Sequence, residues 1–193
     1  MNKVTLLERI NNYEKETGFP KSLFIGSDNR LNGVWVMGNN YKVKSSYYGG
    51  YPHGYLKRIK ALFFEKKNVL HLFAGKVDTE VIAGKTVDIN PLTLPDYVTD
   101  AHNLSEIIKE KFDLILADPP YSIEDCEHYG TVMIKRNKVL SEASKLLEKG
   151  GHLVWLDQVL PMYRKIELKT IGYIGMVKST NHRFRVITIF EKL

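Results

Sequence analysis

The segment richest in chemistry is Asp118-Pro119-Pro120-Tyr121, directly after the apolar run Phe112–Ala117. An amino group on an aromatic ring is a poor nucleophile, because its lone pair is delocalised into the ring. Two acceptors that take its two N–H groups draw the nitrogen toward tetrahedral geometry and free that lone pair. The Asp118 carboxylate is one such acceptor, and the backbone carbonyl of Pro119 is the other. The prolines fix φ and bring no N–H donors, so the turn is stiff and its carbonyls stay available. The ring of Tyr121 can stack on a planar base, an interaction worth roughly 1–3 kcal/mol per base. Taken alone, such a dipeptide pattern marks a loop. Its place at the end of a buried strand gives it functional weight.

Two further acids follow apolar runs. Asp88 stands where a doubly wound fold places its ribose-binding acid, and it also suits a cap before Asn90-Pro91. Asp100 precedes a helix start at Asn103–Ser105 and reads equally as a ligand contact or a solvated loop residue. His53, His71 and His102 lack metal-ligand spacing, so no metal is assigned. Lys135, Arg136 and Lys138 read as the solvated face of a helix. Arg183 and Arg185 flank a late turn and suit either phosphate contact or an exposed edge strand.

The elements that must position these residues can be read from the apolar pattern. Residues Val4–Lys15 form an amphipathic helix ended by Gly18 and Pro20. Gly33–Met37 alternates like a short strand, with a turn at Gly38-Asn39-Asn40. Tyr55–Phe64 reads as a helix carrying Lys57, Arg58 and Lys60. Buried strands are expected at Asn68–Phe73, Thr86–Ile89, Asp96–Val98, Phe112–Ala117 and His152–Leu156. Helices are expected at Ser105–Lys109 and Val132–Leu147, the latter capped by Gly150-Gly151. Ile171–Val177 and Arg183–Phe190 read as a closing antiparallel pair. The fold class is therefore α/β: a doubly wound, mostly parallel sheet of seven strands with a closing antiparallel strand, after a small irregular N-terminal region. Residues 1–67 form the extension and residues 68–193 the core of one compact domain. Ligands of such sheets sit beyond the carboxyl ends of the strands. Chemistry is thus expected just after Phe73, Val87, Val98 and Ala117.

Composition sets the outer bounds. Of 193 residues, 44% are hydrophobic and 26% charged, the balance of a folded globular chain. No apolar run approaches the ~20 residues that cross a bilayer, and Met1–Arg9 lack the pattern of a signal peptide. Cys126 is the one cysteine, which excludes an internal disulfide and a cysteine-based metal cluster. These features point to a cytoplasmic protein with no membrane partner. The net charge of +6 suits a polyanionic partner.

Residues 112–121, FDLILADPPY, resemble the catalytic segment of class I S-adenosylmethionine-dependent methyltransferases that act on amino groups, a group that includes DNA and RNA base methyltransferases. The run VLHLFAG, Val69–Gly75, resembles their first cofactor segment. TVDINP, residues 86–91, and TDAHNL, residues 99–104, resemble the second and third. Helix 132–147 with GGHLVWLD after it resembles the later strand. The likeness covers roughly residues 68–191. It implies S-adenosyl-L-methionine as cofactor, with Phe73, Ala74 and Gly75 among the residues that bind it. Asp88 would bind the ribose hydroxyls, Ile89 would lie against the adenine ring, and Asp100 beside Ala101 would meet the adenine amino group. Catalysis falls to Asp118, Pro119, Pro120 and Tyr121. Tyr47–Phe64 resembles the segment that encloses the methionine end in that subgroup, which adds Tyr48 and Tyr51 as cofactor contacts.

Two departures stand out. His71 and Lys76 occupy positions where the group usually has an acid and a second glycine. Only Lys76–Lys85 separate Gly75 from the second strand, too few for a normal crossover helix. The first helix should be cut to a turn or two, or lost, and the cofactor carboxylate held in another way. The implied activity is methylation of an exocyclic amino group of a nucleic-acid base, with adenine in DNA as first expectation and an RNA base as second. A non-catalytic nucleic-acid-binding module of the same fold is a third. A nicotinamide-dependent oxidoreductase is disfavoured, because G-x-G-x-x-G is missing at the first turn.

Overall fold

A computed structural model describes residues 3–38, 51–128, 131–178 and 184–193. Helix α1 spans Leu6–Thr17 and starts from a capping box: Thr5 Oγ1 accepts the Glu8 N–H, and the Glu8 carboxylate accepts the Thr5 N–H. Its apolar stripe buries Ile10 and Tyr13, and the Tyr13 ring lies flat on Trp35 with centroids 5.7 Å apart. Strands β1 (Leu23–Ile25) and β2 (Leu31–Met37) follow, then α2 (Tyr55–Leu62). The remaining elements are β3 (Val69–Leu72), β4 (Lys85–Asp88), β5 (Tyr97–Val98), α3 (Leu104–Ile107), β6 (Phe112–Ala117), α4 (Ile123–His128), α5 (Arg136–Leu146), β7 (Leu147–Asp157), β8 (Leu168–Lys178) and β9 (Phe184–Lys192).

The strands form one sheet in the order β1-β2-β8-β9-β7-β6-β3-β4-β5. From β5 to β7 neighbouring strands run parallel, and β9 runs antiparallel to both β7 and β8. These seven strands are the expected mostly parallel sheet with its closing antiparallel strand. The sheet itself has nine strands, because the N-terminal region is less irregular than its composition suggests. Leu31–Met37 pairs in parallel with Gly172–Lys178, and β1 turns back on β2. The pairing is favourable because Leu31, Trp35 and Met37 then alternate into the core.

The same alternation sorts the central strands into two faces. Leu114, Leu116, Val154 and Leu156 pack with α1 and α2. Ile115, Ala117, Leu153 and Trp155 pack with α3 and α5. Between β3 and β4 the described chain has turns only, with Val77 N–H bonded to Ala74 O at 2.9 Å, so the first crossover helix is lost. Ile59, Leu62 and Ile82 cover that part of the sheet instead.

One expected cap is corrected. Helix α5 stops at Leu146 with an extended Leu147, and Gly150-Gly151 lie inside β7. Gly150 has φ 76° where the β6–β7 register shifts, so its left-handed backbone serves a kink in the strand rather than a helix end. Among the described residues no helix is long and apolar enough to cross a membrane.

Candidate active site

The register fixes which residues meet at the carboxyl end of the sheet. Leu72 pairs with Ala117, and Ala117 with Trp155, so the turn after β3 emerges beside Asp118, with β7 on its other side. Phe73 takes φ 57°, uncommon for a residue with a side chain, and Gly75 takes φ 50°. The backbone folds back sharply there and ties to β4 through Ala74 N–H and Val87 O at 3.0 Å. Asp88 completes the tie. Its Oδ2 accepts the Gly75 N–H at 2.8 Å and its Oδ1 accepts the Asn90 N–H at 2.9 Å. Each oxygen keeps a second lone pair, so the tether leaves Asp88 able to accept from a diol. Ile89, next to it, leaves 53% of its surface open to solvent.

Asp100 caps the short 3-10 turn Ala101–Asn103, accepting the His102 N–H at 2.9 Å, while Ala101 is buried. It also meets His102 Nδ1 at 2.6 Å, and His102 Nε2 accepts the Lys135 N–H at 2.9 Å. Nε2 is therefore the bare nitrogen, and Nδ1 carries the proton that it donates to Asp100. Partial burial opposes ionisation of Asp100, but the His102 hydrogen bonds outweigh it and hold its carboxyl below the usual range. The relay pins the entry to α5, a role the sequence reading did not foresee.

Asp118 and Tyr121 lie on the other flank. Strand alternation puts Asp118 on the face of Leu114 and Leu116, where Tyr55 of α2 and Tyr51 just before that helix also pack. Tyr51 stacks on Tyr55 with centroids 4.7 Å apart and an angle of 9°, and Trp35 meets Tyr55 edge-on. Burial, and then the nearby charge of Asp118, push the Tyr51 hydroxyl well above its ordinary value. Tyr55 is shifted the same way, by burial and by the Tyr51 and Asp118 charges, with Arg185 opposing. Both hydroxyls thus stay protonated within the field of Asp118. Tyr48, the other expected contact, lies outside the described residues.

Arg185 enters from β9. Its guanidinium carbon stands 4.5 Å from the centroid of the Tyr121 ring. The expectation of an exposed edge strand is corrected, since β9 is interior, between β7 and β8. Arg183 falls outside the described residues.

A buried acid that the sequence reading missed underlies this end of the sheet. Asp157 is fully buried. It accepts from Arg136 Nε at 2.7 Å and Nη2 at 3.2 Å, from Trp155 Nε1 at 3.0 Å and from Gln158 N–H at 2.7 Å. Arg136 is therefore an ion-pair partner rather than part of a solvated face. Trp155 in turn meets Phe73 edge-on at 6.4 Å, linking this cluster to the turn after β3. Among the described residues no group of three His, Cys, Asp or Glu is arranged to hold a metal.

No family model matches the chain, and no curated protein sequence matches it. Solved structures do. The chain is similar to TrmN from Thermus thermophilus, with TM-score 0.56 and 16% identity over 74% of this chain and 49% of that one. It thus spans about half the length of TrmN. It is also similar to the N-methyltransferase NodS from Bradyrhizobium japonicum WM9, with TM-score 0.48 and 14% identity over 72% and 93% of the two chains. An rRNA methylase from Streptococcus thermophilus aligns with TM-score 0.43 and 12% identity over 66% and 88%. The likeness to TrmN establishes a shared α/β fold.

Proposed function

We propose that this protein transfers a methyl group from S-adenosylmethionine to an exocyclic amino group of a nucleic-acid base. The observation that carries the reading is the Asp118-Pro119-Pro120-Tyr121 turn at the carboxyl end of β6, between the Asp88-tethered turn on one side and Arg185 on the other. A doubly wound sheet binds its ligands at this end.

The residues present fit the cofactor. Asp88 retains acceptor capacity for the ribose hydroxyls, and exposed Ile89 offers an apolar surface to the adenine ring. The exposed side of Asp100 can still meet the adenine amino group, although one of its oxygens is committed to His102. When bound, S-adenosylmethionine supplies an electrophilic methyl group on sulfur. The chain does the rest by position. Asp118 and the Pro119 carbonyl accept the two N–H groups of the target amine, and Asp118 takes the proton it sheds. Pro120 keeps the turn rigid, and Tyr121 aligns the base. The hydroxyls of Tyr51 and Tyr55, raised by burial and by the Asp118 charge, stay protonated and add no negative charge to this end of the sheet.

The test is incorporation of labelled methyl groups into a panel of DNA and RNA, followed by digestion and identification of the modified base. Label on an exocyclic nitrogen supports the proposal, and DNA adenine and RNA bases are separate arms of the panel. The helix-free first crossover favours a second reading, a nucleic-acid-binding module that has lost the cofactor. Nucleic-acid binding without any affinity for S-adenosylmethionine would select it.

A further inference from the structure

We infer that Arg185 forms an oxyanion subsite that holds a backbone phosphate of the substrate beside the target base. The inference rests on the proposed nucleic-acid substrate and names the group that anchors it. Three observations carry it. First, Arg185 lies on the face of the sheet shared with Ile187 and Ile189, which is also the face of Asp118. Second, its guanidinium is laid over the ring of Tyr121, the last residue of the Asp118-Pro119-Pro120-Tyr121 turn. Third, it is a half-buried cation that meets no carboxylate among the described residues, and its Nε is buried without a hydrogen-bond partner there. Arg9 and Arg136, which are also drawn into the fold, each meet a carboxylate, Glu65 and Asp157. A cation partly removed from water is stabilised by an anion, and a guanidinium matches phosphate oxygens with paired N–H donors.

The position separates this subsite from the cofactor's own carboxylate. β9 lies two strands from β6 in one direction and β4 lies two strands away in the other, about 10 Å to each side at the usual strand spacing. Asp88 and the turn after β3 occupy the β4 side, so Arg185 faces whatever enters from the opposite flank. A phosphodiester next to a base stacked against Tyr121 is the anion that a nucleic acid brings there.

The experiment measures binding of a fluorescent single-stranded oligonucleotide, as RNA and as DNA, across a salt series, for the wild type, Arg185→Gln and Arg185→Lys. S-adenosylmethionine binding is measured on the same preparations. Arg185→Gln should weaken oligonucleotide binding about tenfold and reduce the log–log salt slope by about 0.7, the loss of one phosphate contact. Arg185→Lys should keep the slope and lose part of the affinity, because it retains the charge but not the fork. Cofactor affinity should be the same in all three proteins. Equal affinity and slope in Arg185→Gln would overturn the subsite while leaving the methyl-transfer proposal intact. Loss of cofactor binding in Arg185→Gln would overturn it too, by assigning the guanidinium to the cofactor carboxylate. A wild type that binds S-adenosylmethionine but no oligonucleotide would overturn both the subsite and the nucleic-acid substrate.

Discussion

The carboxylate of Asp88 accepts the N–H of Gly75 at 2.8 Å, so the end of β4 holds the turn that leaves β3. In a sheet with a full first crossover, a helix would direct that turn. Here the described chain between β3 and β4 has no helix, and a side chain does the job. One acid therefore connects the shape of the proposed cofactor pocket to its ligand chemistry.

This dual role gives Asp88→Ala two measurable effects. Loss of charge-assisted bonds to the ribose should weaken S-adenosylmethionine binding by about 1.5–3 kcal/mol in calorimetry. The orphaned Gly75 and Asn90 N–H groups should also lower stability by about 1–3 kcal/mol in thermal melts. A stability loss with unchanged affinity would leave Asp88 as a tether only.

Asp118→Ala should reduce methyl transfer by roughly 100-fold or more, the scale of removing a positioned proton acceptor. Cofactor binding should persist, since the proposed ribose and adenine contacts belong to β4 and β5. Labelled-methyl assays beside calorimetry separate the two effects. An Asp118→Ala protein with full activity would remove the amine-activation role.

Tyr121→Phe should behave nearly as wild type, because the ring face remains. Tyr121→Ala should weaken oligonucleotide binding by about 1–3 kcal/mol through lost stacking, and it also removes the surface on which Arg185 rests. Equal losses in the two variants would show that the hydroxyl, not the ring, matters.

The buried pair Arg136–Asp157 predicts an asymmetric mutational response. Arg136→Met leaves a fully buried carboxylate without its cation and should cost about 3–5 kcal/mol in urea unfolding. Adding Asp157→Asn should restore part of that loss, because the pair acts as a unit. Strict additivity of the two substitutions would refute the coupling.

Two buried histidines make the fold acid-sensitive. Burial, reinforced by the Arg9, Lys66 and Lys3 charges, lowers His152 from the usual 6.5 to about 2. Burial also lowers His71, against a hydrogen bond to Ile82 O. The native state keeps both rings neutral while the unfolded chain protonates them below pH 6.5, so stability present above that pH is lost as pH falls toward the folded values. Each group contributes up to about 1.4 kcal/mol per pH unit in that window. His152→Phe should be neutral or stabilising at pH 7, since the His152 Nδ1 is buried without a partner among the described residues. Denaturant unfolding from pH 7 to pH 4 should show a shallower slope for His152→Phe, and an unchanged slope would refute the assignment.

The seven-strand core, and the end of the sheet at which the proposed site lies, are legible in the apolar pattern. A short, mostly apolar run such as Phe112–Ala117, bounded by turn residues, suits a buried central strand, and a parallel sheet binds its ligands at the carboxyl ends of such strands. The shortness of Lys76–Lys85 likewise excluded a full first crossover helix by chain length, and the structure reduces it to turns. Tertiary structure decided the rest, because it depends on partners far apart in sequence. Leu23–Ile25 is too short to declare itself and is a strand only because β2 offers a free edge. Gly150-Gly151 looks like a helix cap locally, but the β6–β7 register makes it a strand kink. The pairing of Arg136 with Asp157, the relay from Asp100 through His102 to Lys135, and the seat of Arg185 on Tyr121 join residues up to 64 positions apart. Periodicity marks each of those residues as facing inward or outward. Only the packed sheet decides which charge, ring or backbone group each one meets.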